Sequence, residues 1–416
     1  MMIRRDCVLL LIFIFSFQLL KGQQEFGEKN KLLNEEFFHL AKTPPMGWNS
    51  WNKFGCKINE SLIKEMAIAM VESGMKDLGY EYIVIDDCWQ TGRDEKGTII
   101  VDNELFPNGM KSVGDFIHNL GLKFGIYSCA GSKTCQGRPG SRGHQFQDAI
   151  KYAEWGVDYL KYDWCYNEGQ DAKAAYKTMS DALRASGRPI VFSICEWGEN
   201  NPWEWGKGVG HLWRITPDIR DCFDCEFNWG GVGVLQILDK ALSISSYSGI
   251  GGWNDLEMLE VGNGHQTEEE YKSHFAIWCM MSAPLMAGND LRDMDALTKE
   301  ILCNERAIAI NQDKLGVSAF RFVKYNGIDV LVKPLKNGDV AFLFVNRNDF
   351  EITLNYDWNF ETVYNENLEN GSLYMKRNPR QVVDVWTGDI IGKTTEKITK
   401  KMKPHESFFY RLKKIK

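Results

Sequence analysis

Residues 159–165 read Tyr-Leu-Lys-Tyr-Asp-Trp-Cys, an apolar run that ends in a lysine, an aspartate, a tryptophan and a cysteine. A later stretch, Trp213-Arg214-Ile215-Thr216-Pro217-Asp218-Ile219, brings an aspartate to the end of a strand in the same way. In parallel barrels chemistry gathers where strands hand over to loops at their carboxyl ends, which places Asp163 and Asp218 on one face. Two carboxylates there can divide the work of breaking a glycosidic bond. One attacks or activates water, and the other protonates the departing oxygen. Asp86, Asp87 and Asp255 stand at further expected strand ends, and charged side chains are rarely buried unless paired or functional. Taken singly, each reads as a helix N-cap or an ion-pair partner, and that reading is preferred for Asp221 and Asp255. Lys161, two residues before Asp163, projects to the same side of the strand, where its charge would keep Asp163 ionised.

Positioning these groups takes a particular set of elements. From residue 43 onward, β-rich runs alternate with amphipathic stretches. Strands are expected at 44–50, 82–87, 123–128, 159–163, 189–195, 212–216, 251–255 and 284–288. Helices are expected at 61–78, 109–120, 147–155, 172–185, 234–246 and 268–281, several closing at a glycine. Eight β/α units in sequence imply a closed parallel (β/α)8 TIM barrel over residues 43–316. The rival, an open doubly wound sheet, lacks a G-x-G-x-x-G after its first strand. Runs at 320–325, 329–334, 339–346, 350–354, 381–386 and 407–412 then make residues 317–416 an antiparallel β-sandwich domain without a catalytic cluster. Asn326-Gly327 and Asn337-Gly338 are its expected hairpin turns.

Composition narrows the class. The chain has 416 residues, 44% hydrophobic and 25% charged, the make-up of an ordinary globular protein. A formal net charge of −7 argues against a nucleic-acid-binding face. Fourteen tryptophans serve either a large aromatic core or stacking platforms for sugar rings. Arg4 and Arg5 precede an apolar run at 7–20 and then Lys21-Gly22, which reads as a secretory signal peptide over residues 1–22. That run is short for a bilayer span, so no stable membrane association is expected. Export allows pairing among Cys56, Cys88, Cys129, Cys135, Cys165, Cys195, Cys222, Cys225, Cys279 and Cys303. Zinc is the rival reading for the C-x-x-C of Cys222 and Cys225, but no second such motif or paired histidines accompany it. Neither metal nor cofactor is expected. Asn59-Glu60-Ser61 and Asn370-Gly371-Ser372 are glycosylation acceptors.

Several ordered motifs carry a family resemblance. Thr43-Pro44-Pro45-Met46-Gly47-Trp48-Asn49-Ser50-Trp51, Ile85-Asp86-Asp87-Cys88-Trp89, Gly125-Ile126-Tyr127, Lys133-Thr134-Cys135 and Leu160-Lys161-Tyr162-Asp163 resemble the glycoside hydrolase family 27 α-galactosidases. So do Cys195-Glu196-Trp197, Trp253-Asn254-Asp255, Met258-Leu259 and Gly262-Asn263-Gly264, over residues 43 to about 320. The resemblance implies a retaining enzyme with Asp163 as nucleophile and Asp218 as acid/base. It implies that Trp51 stacks on the sugar and that Asp86 and Asp87 accept bonds from its 4- and 6-hydroxyls. Tyr127, Arg214 and Lys161 would bond hydroxyls, and Cys135 and Met258 would line the pocket. Cys195, Glu196 and Trp197 would meet the 2-position, their bulk favouring galactose over an acetamido sugar. Cys56–Cys88 and Cys135–Cys165 match the family's disulfides, leaving Cys195 a free thiol. Cys129, Trp164 and the Cys222/Cys225 pair depart from the family pattern, the first two at positions that bear on the aglycone. The expected partners are α-galactosides, the expected state a monomer or homodimer, and the expected destination secreted or lysosomal/vacuolar. The alternatives are an α-N-acetylgalactosaminidase or β-L-arabinopyranosidase of the same family, or a non-catalytic galactose-binding protein.

Overall fold

The computed structural model describes Phe37 and residues 39–415 other than Trp229, so the signal-peptide segment lies outside the described residues. Eight parallel strands come first: β1 (Met46–Asn49), β2 (Tyr82–Ile85), β3 (Lys123–Cys129), β4 (Tyr159–Asp163), β5 (Val191–Cys195), β6 (Leu212–Arg214), β7 (Trp253–Asp255) and β8 (Leu285–Ala287). They form one curled sheet in the order β8-β1-β2-β3-β4-β5-β6-β7. The seam between β7 and β8 carries no ladder of its own. Leu259, just past β7, bridges it by pairing with Ala287. Each strand therefore neighbours its successor in the chain, as right-handed β/α connections require. The expected (β/α)8 barrel is what the chain builds.

The longer helices between the strands are α1 (Glu60–Glu72), α2 (Gly109–Asn119), α3 (Gln145–Trp155), α4 (Ala172–Ala185), α5 (Val234–Ser243) and α6 (Glu268–Met281). Their limits follow from local chemistry. Asn59 caps α1 by accepting from the Leu62 N–H, and Asp171 caps α4 by accepting from the Ala174 N–H. Thr267 and Glu270 make a reciprocal capping box on α6. The helical pattern at 61–78 runs past the end of α1, because Gly74 (φ 86°) breaks it and only a 3-10 turn, Lys76–Leu78, follows. An antiparallel hairpin, Gln90–Arg93 with Ile99–Val101, interrupts the connection after β2 and was not expected.

The barrel ends in α7 (Ala296–Leu302) and α8 (Glu305–Asn311), and an antiparallel domain follows. Its longer strands are β9 (Phe320–Tyr325), β10 (Ile328–Pro334), β11 (Val340–Asn346), β12 (Ile352–Tyr356), β13 (Arg380–Asp384), β14 (Ile390–Lys393), β15 (Ile398–Met402) and β16 (Ser407–Lys414). A six-stranded sheet, β9-β10-β11-β16-β13-β14, faces the β12-β15 pair across a core of Val330, Phe342, Phe344, Leu354, Trp358 and Met402. The β9–β10 turn is the Asn326-Gly327 pair, both at positive φ (49° and 75°), as a two-residue hairpin demands.

This sheet docks on α6 and α8 of the barrel. Lys333 on β10 is buried and donates to Cys279 O, Ser282 Oγ and Ile310 O at 2.7–3.0 Å. Burial pushes its ammonium down to about 7. Several tryptophans serve the core. Trp48, Trp89, Trp213, Trp253 and Trp278 are fully enclosed in the core.

Candidate active site

Asp163 is the last residue of β4 and is 6% exposed. Its orientation is set from three sides. The Tyr127 hydroxyl donates to Oδ2 at 2.8 Å, the Trp164 N–H donates to Oδ1 at 2.8 Å, and the Cys135 Sγ lies 3.4 Å from Oδ2. Tyr127 comes from β3, the neighbouring strand, where it stands opposite Lys161 in register. Cys135 is tied to Cys165 by a disulfide, so the loop after β3 is stapled to the residues just past Asp163. Those loops run against each other so closely that a Cβ on Gly131 would sit 2.0 Å from the Cys165 carbonyl oxygen. Only glycine fits there.

Lys161 is turned toward Asp86. Its Nζ lies 2.8 Å from Asp86 Oδ2, with the two side chains 12% and 2% exposed. Asn49, at the end of β1, donates to the same oxygen at 2.8 Å. The ammonium therefore reaches Asp163 as a field, not as a direct bond. Burial opposes its charge, but Asp86, Cys195, Glu257 and Asp163 together hold its pKa well above the ordinary lysine value. Strand β2 ends at Ile85, so Asp86 and Asp87 both lie beyond the pleat and neither is forced outward. Asp87 accepts from the Cys88 N–H at 2.7 Å and the Gln136 N–H at 3.0 Å, and burial raises its pKa.

Asp218 lies four residues past Arg214, in the loop after β6, and its side chain is 44% exposed. Arg214 is 2% exposed and serves three acceptors. Nη2 donates to Asp218 Oδ1 and to Thr216 O, both at 3.1 Å, and Nη1 pairs with Glu257 Oε1 at 3.2 Å. Nη1 also lies 3.7 Å from Cys195 Sγ. Glu257, just past β7 with φ 79°, was not singled out in the sequence. The signal for it was the second acid in Trp253-Asn254-Asp255-Leu256-Glu257, and for Asn49 the polar end of β1. Asp255 faces Arg214 in register and accepts from the Glu257 N–H at 2.9 Å, so it too belongs to this group. A cavity of about 20 Å³ lies among Asn49, Lys161, Arg214, Asp255, Glu257 and Met258. It is large enough for about one water molecule.

Electrostatics separate the two carboxylates. Burial raises Asp163, Lys161 pulls it back and the charge of Asp218 raises it again, leaving it at about 7. Burial also acts on Asp218, but the charges of Arg214 and Lys161 and the bond from Arg214 overcome it and hold it below the ordinary value. The charge of Asp218 thus reaches Asp163, and it raises Glu257 across Arg214 as well.

The remaining expected residues fall in different places. Trp51, two residues past the end of β1, is half-buried and packs against the apolar cluster inside the barrel that includes Met258. Cys195 is a free, buried thiol opposite Asp163 in register. Glu196 is fully enclosed, its Oε2 accepting from the Asn200 N–H and Nδ2 at 2.7 Å, so it is not brought to the open site. Trp197 is half-buried against the main core. Two departures from the family pattern prove internal. Trp164 is 3% exposed and packs on Tyr176, and Cys129 is buried with Sγ 3.1 Å from the Cys165 carbonyl oxygen. Both side chains are enclosed in the core.

Cys56–Cys88 and Cys135–Cys165 pair as the resemblance implies, and Cys222 pairs with Cys225. Zinc is therefore not the use of that C-x-x-C. Among the described residues one group gathers metal-type ligands, Cys135, Asp163 and Cys165. Two of its three members are oxidised to a disulfide and offer no thiolate.

The comparisons with known proteins bear on the whole chain. Residues 43–313 match the family described as alpha galactosidase A, and residues 325–412 match its C-terminal beta sandwich domain. The chain belongs to the glycoside hydrolase family 27 α-galactosidases. It is 49% identical over 381 residues to alpha-galactosidase A of Cellvibrio japonicus, covering 91% of this chain and 94% of that one. Its fold is similar to α-galactosidase I of Mortierella vinacea, with TM-score 0.84 and 38% identity, covering 90% of this chain and 97% of that one. It is similar as well to a Saccharomyces cerevisiae α-galactosidase solved with raffinose, with TM-score 0.86 and 32% identity over 91% and 99% of the two chains. Among the described residues no helix is long and apolar enough to cross a membrane.

Proposed function

We propose that the chain is a retaining α-galactosidase that releases terminal α-D-galactosyl residues from oligosaccharides or glycoconjugates. The observation that carries this reading is the contrast between two neighbouring carboxylates. Asp163 is enclosed and held by Tyr127 and Trp164, as a nucleophile needs, while Asp218 is half-exposed on a loop, as a group that meets varied leaving groups needs. In the first displacement an Asp163 oxygen attacks the anomeric carbon. The bond to the leaving oxygen breaks, and that oxygen takes the proton of Asp218. In the second, Asp218 takes a proton from water, whose oxygen attacks the same carbon and returns Asp163 as a free carboxylate.

Asp86 and Asp87 accept from the sugar's 4- and 6-hydroxyls, Trp51 stacks on its face, and Lys161, Arg214 and Glu257 bond the remaining hydroxyls. Tyr127 donates its one proton to Asp163, so it offers a sugar hydroxyl only an acceptor. Met258, Cys135 and Cys195 border the sugar. Trp197 narrows the 2-position as a wall, and Glu196, enclosed and bonded to Asn200, does not reach the sugar. The test compares aryl α-galactoside with aryl α-N-acetylgalactosaminide. Galactoside is expected to be favoured at least about 100-fold in kcat/KM. Comparable turnover of the acetamido sugar would reassign the chain to that activity, and binding without turnover would make it a galactose-binding protein.

The pair also sets a pH profile. The productive form of the free enzyme has Asp163 ionised and its one proton on Asp218, the minor of the two singly protonated forms because Asp163 holds a proton more tightly. As pH rises through about 7 that proton is lost and activity falls. As pH drops below the ordinary aspartate value Asp218 takes up a second proton, and the form with an ionised Asp163 disappears. A bell in kcat/KM is expected, its upper limb falling about tenfold per unit above about 7. A profile flat through neutral pH would show that Asp163 is not part of the titrating pair.

The domain division at 316/317 and removal of residues 1–22 belong to the same proposal, with export by the secretory pathway. The disulfides Cys56–Cys88 and Cys135–Cys165 suit an oxidising compartment.

A further inference from the structure

The loop that carries Asp218 is held by contacts that reach across to the β-domain. Asp218 itself takes a 3.1 Å bond from Arg214, so its placement depends on the backbone beneath it. Within the loop the Val232 N–H donates to the Asp218 carbonyl at 3.0 Å, and Cys222–Cys225 closes a short staple. Three residues after Asp218, Asp221 accepts from the His265 N–H at 2.9 Å, Gln266 Nε2 at 3.0 Å and the Tyr271 hydroxyl at 3.0 Å. Phe223, 2% exposed, points inward, and its ring stacks on His405 with centroids 4.8 Å apart and planes 28° from parallel.

His405 belongs to the turn between β15 and β16, on the far side of the domain boundary. Its Nδ1 lies 2.6 Å from Glu270 Oε1, and its Nε2 lies 3.0 Å from Asp349 Oδ1. The bond to Glu270 raises its pKa, which favours the cation. Its carbonyl accepts from Ser273 Oγ at 2.7 Å. Glu270 Oε2 meanwhile closes the capping box on Thr267, and the next residue in α6 is Tyr271, the hydroxyl that grips Asp221. One imidazole thus reaches the loop twice, directly through Phe223 and indirectly through the first turn of α6. His405 does this at φ 57°, a conformation that glycine adopts at lower cost. Such strain marks a place where the side chain, not the backbone, decides the residue.

We infer that His405 of the β-domain is a positioning residue for the proton-donating carboxylate, holding the Asp218–Cys225 segment of the loop at the depth the leaving oxygen requires. This rests on Asp218 acting as acid/base. It gives the β-domain a part in the reaction. The prediction is specific to one chemical step. Strongly acidic phenols leave without protonation, whereas sugars and alkyl alcohols need it.

The experiment measures kcat/KM for His405→Ala across aryl α-galactosides of graded leaving-group acidity and for raffinose. A misplaced acid is expected to cost about tenfold or more on raffinose, and less than about twofold on the most acidic phenol. Equal losses on all substrates, or none, would overturn the inference. Phe223→Leu, which keeps the burial and loses the stacking, is expected to steepen the same dependence and serves if His405→Ala fails to fold. Asp218→Ala runs beside them. If it shows no leaving-group dependence, the acid/base assignment itself is wrong. If it does and neither His405→Ala nor Phe223→Leu follows it, the assignment stands and the positioning role falls.

Discussion

Asp163→Ala is expected to lower kcat by at least about 10⁴-fold on every α-galactoside, because the variant loses the carboxylate proposed to form the covalent intermediate. The loss is expected without gross unfolding. Asp163 pairs with no cation directly, and Lys161 keeps its 2.8 Å partner in Asp86. Small anions decide what was removed. Azide fits the space left by the carboxylate and attacks the anomeric carbon from that side, while Asp218 still protonates the leaving group. The product expected is therefore β-galactosyl azide. In Asp218→Ala the intermediate still forms from activated substrates, and azide attacks it from the opposite side to give α-galactosyl azide. The two anomers, read by NMR, assign the two roles independently of rate. An α-azide from Asp163→Ala, or substantial turnover without azide, would exchange or cancel the assignments.

Lys161→Met is expected to damage stability and chemistry together. The ammonium and Asp86 are both largely buried, at 12% and 2% exposure, so removing one partner strands the other. Breaking such a buried pair costs about 3–5 kcal/mol, read as a lower melting temperature. Asn49 still donates to Asp86, which softens the loss without supplying a charge. The chemical consequence has a definite sign. Lys161 lowers the pKa of Asp163 from the level that burial sets, so its removal raises Asp163 above about 7. The upper limb of the pH profile is then expected to move to higher pH while the maximal rate falls, since less of the nucleophile is ionised. Asp86→Asn in the Lys161→Met background restores neutrality at the site. It is expected to recover stability but not rate. An upper limb that stays in place would mean that the lysine charge does not reach Asp163.

The alternation of residue types along the chain determined most of the architecture. Helices at 172–185 and 268–281 stop and start where expected because their signals are local: a side chain at the N-cap and an apolar stripe. Strand β4 and its terminal Asp163 were legible for the same reason, as was the Asn326-Gly327 turn. The hairpin at 90–101 was not. Gln90–Arg93 is polar and broken by a glycine, so it has no period of its own and forms only against its partner.

Site chemistry divides in the same way. The amino-acid sequence pointed to Asp163 and Asp218 as the candidate pair, and to the sulfurs that staple the loops near Asp163. It could not show that Lys161 turns to Asp86, that Glu257 holds Arg214, or that Glu196 is folded onto Asn200. Each of those is a choice among partners far apart in the chain, made by burial: a charged or polar group taken out of water binds whichever counterpart the fold brings within reach. The link from His405 through Phe223 to the Asp218 loop has the same origin. It exists only because the β-domain docks against the first turn of α6, a contact that no local pattern encodes.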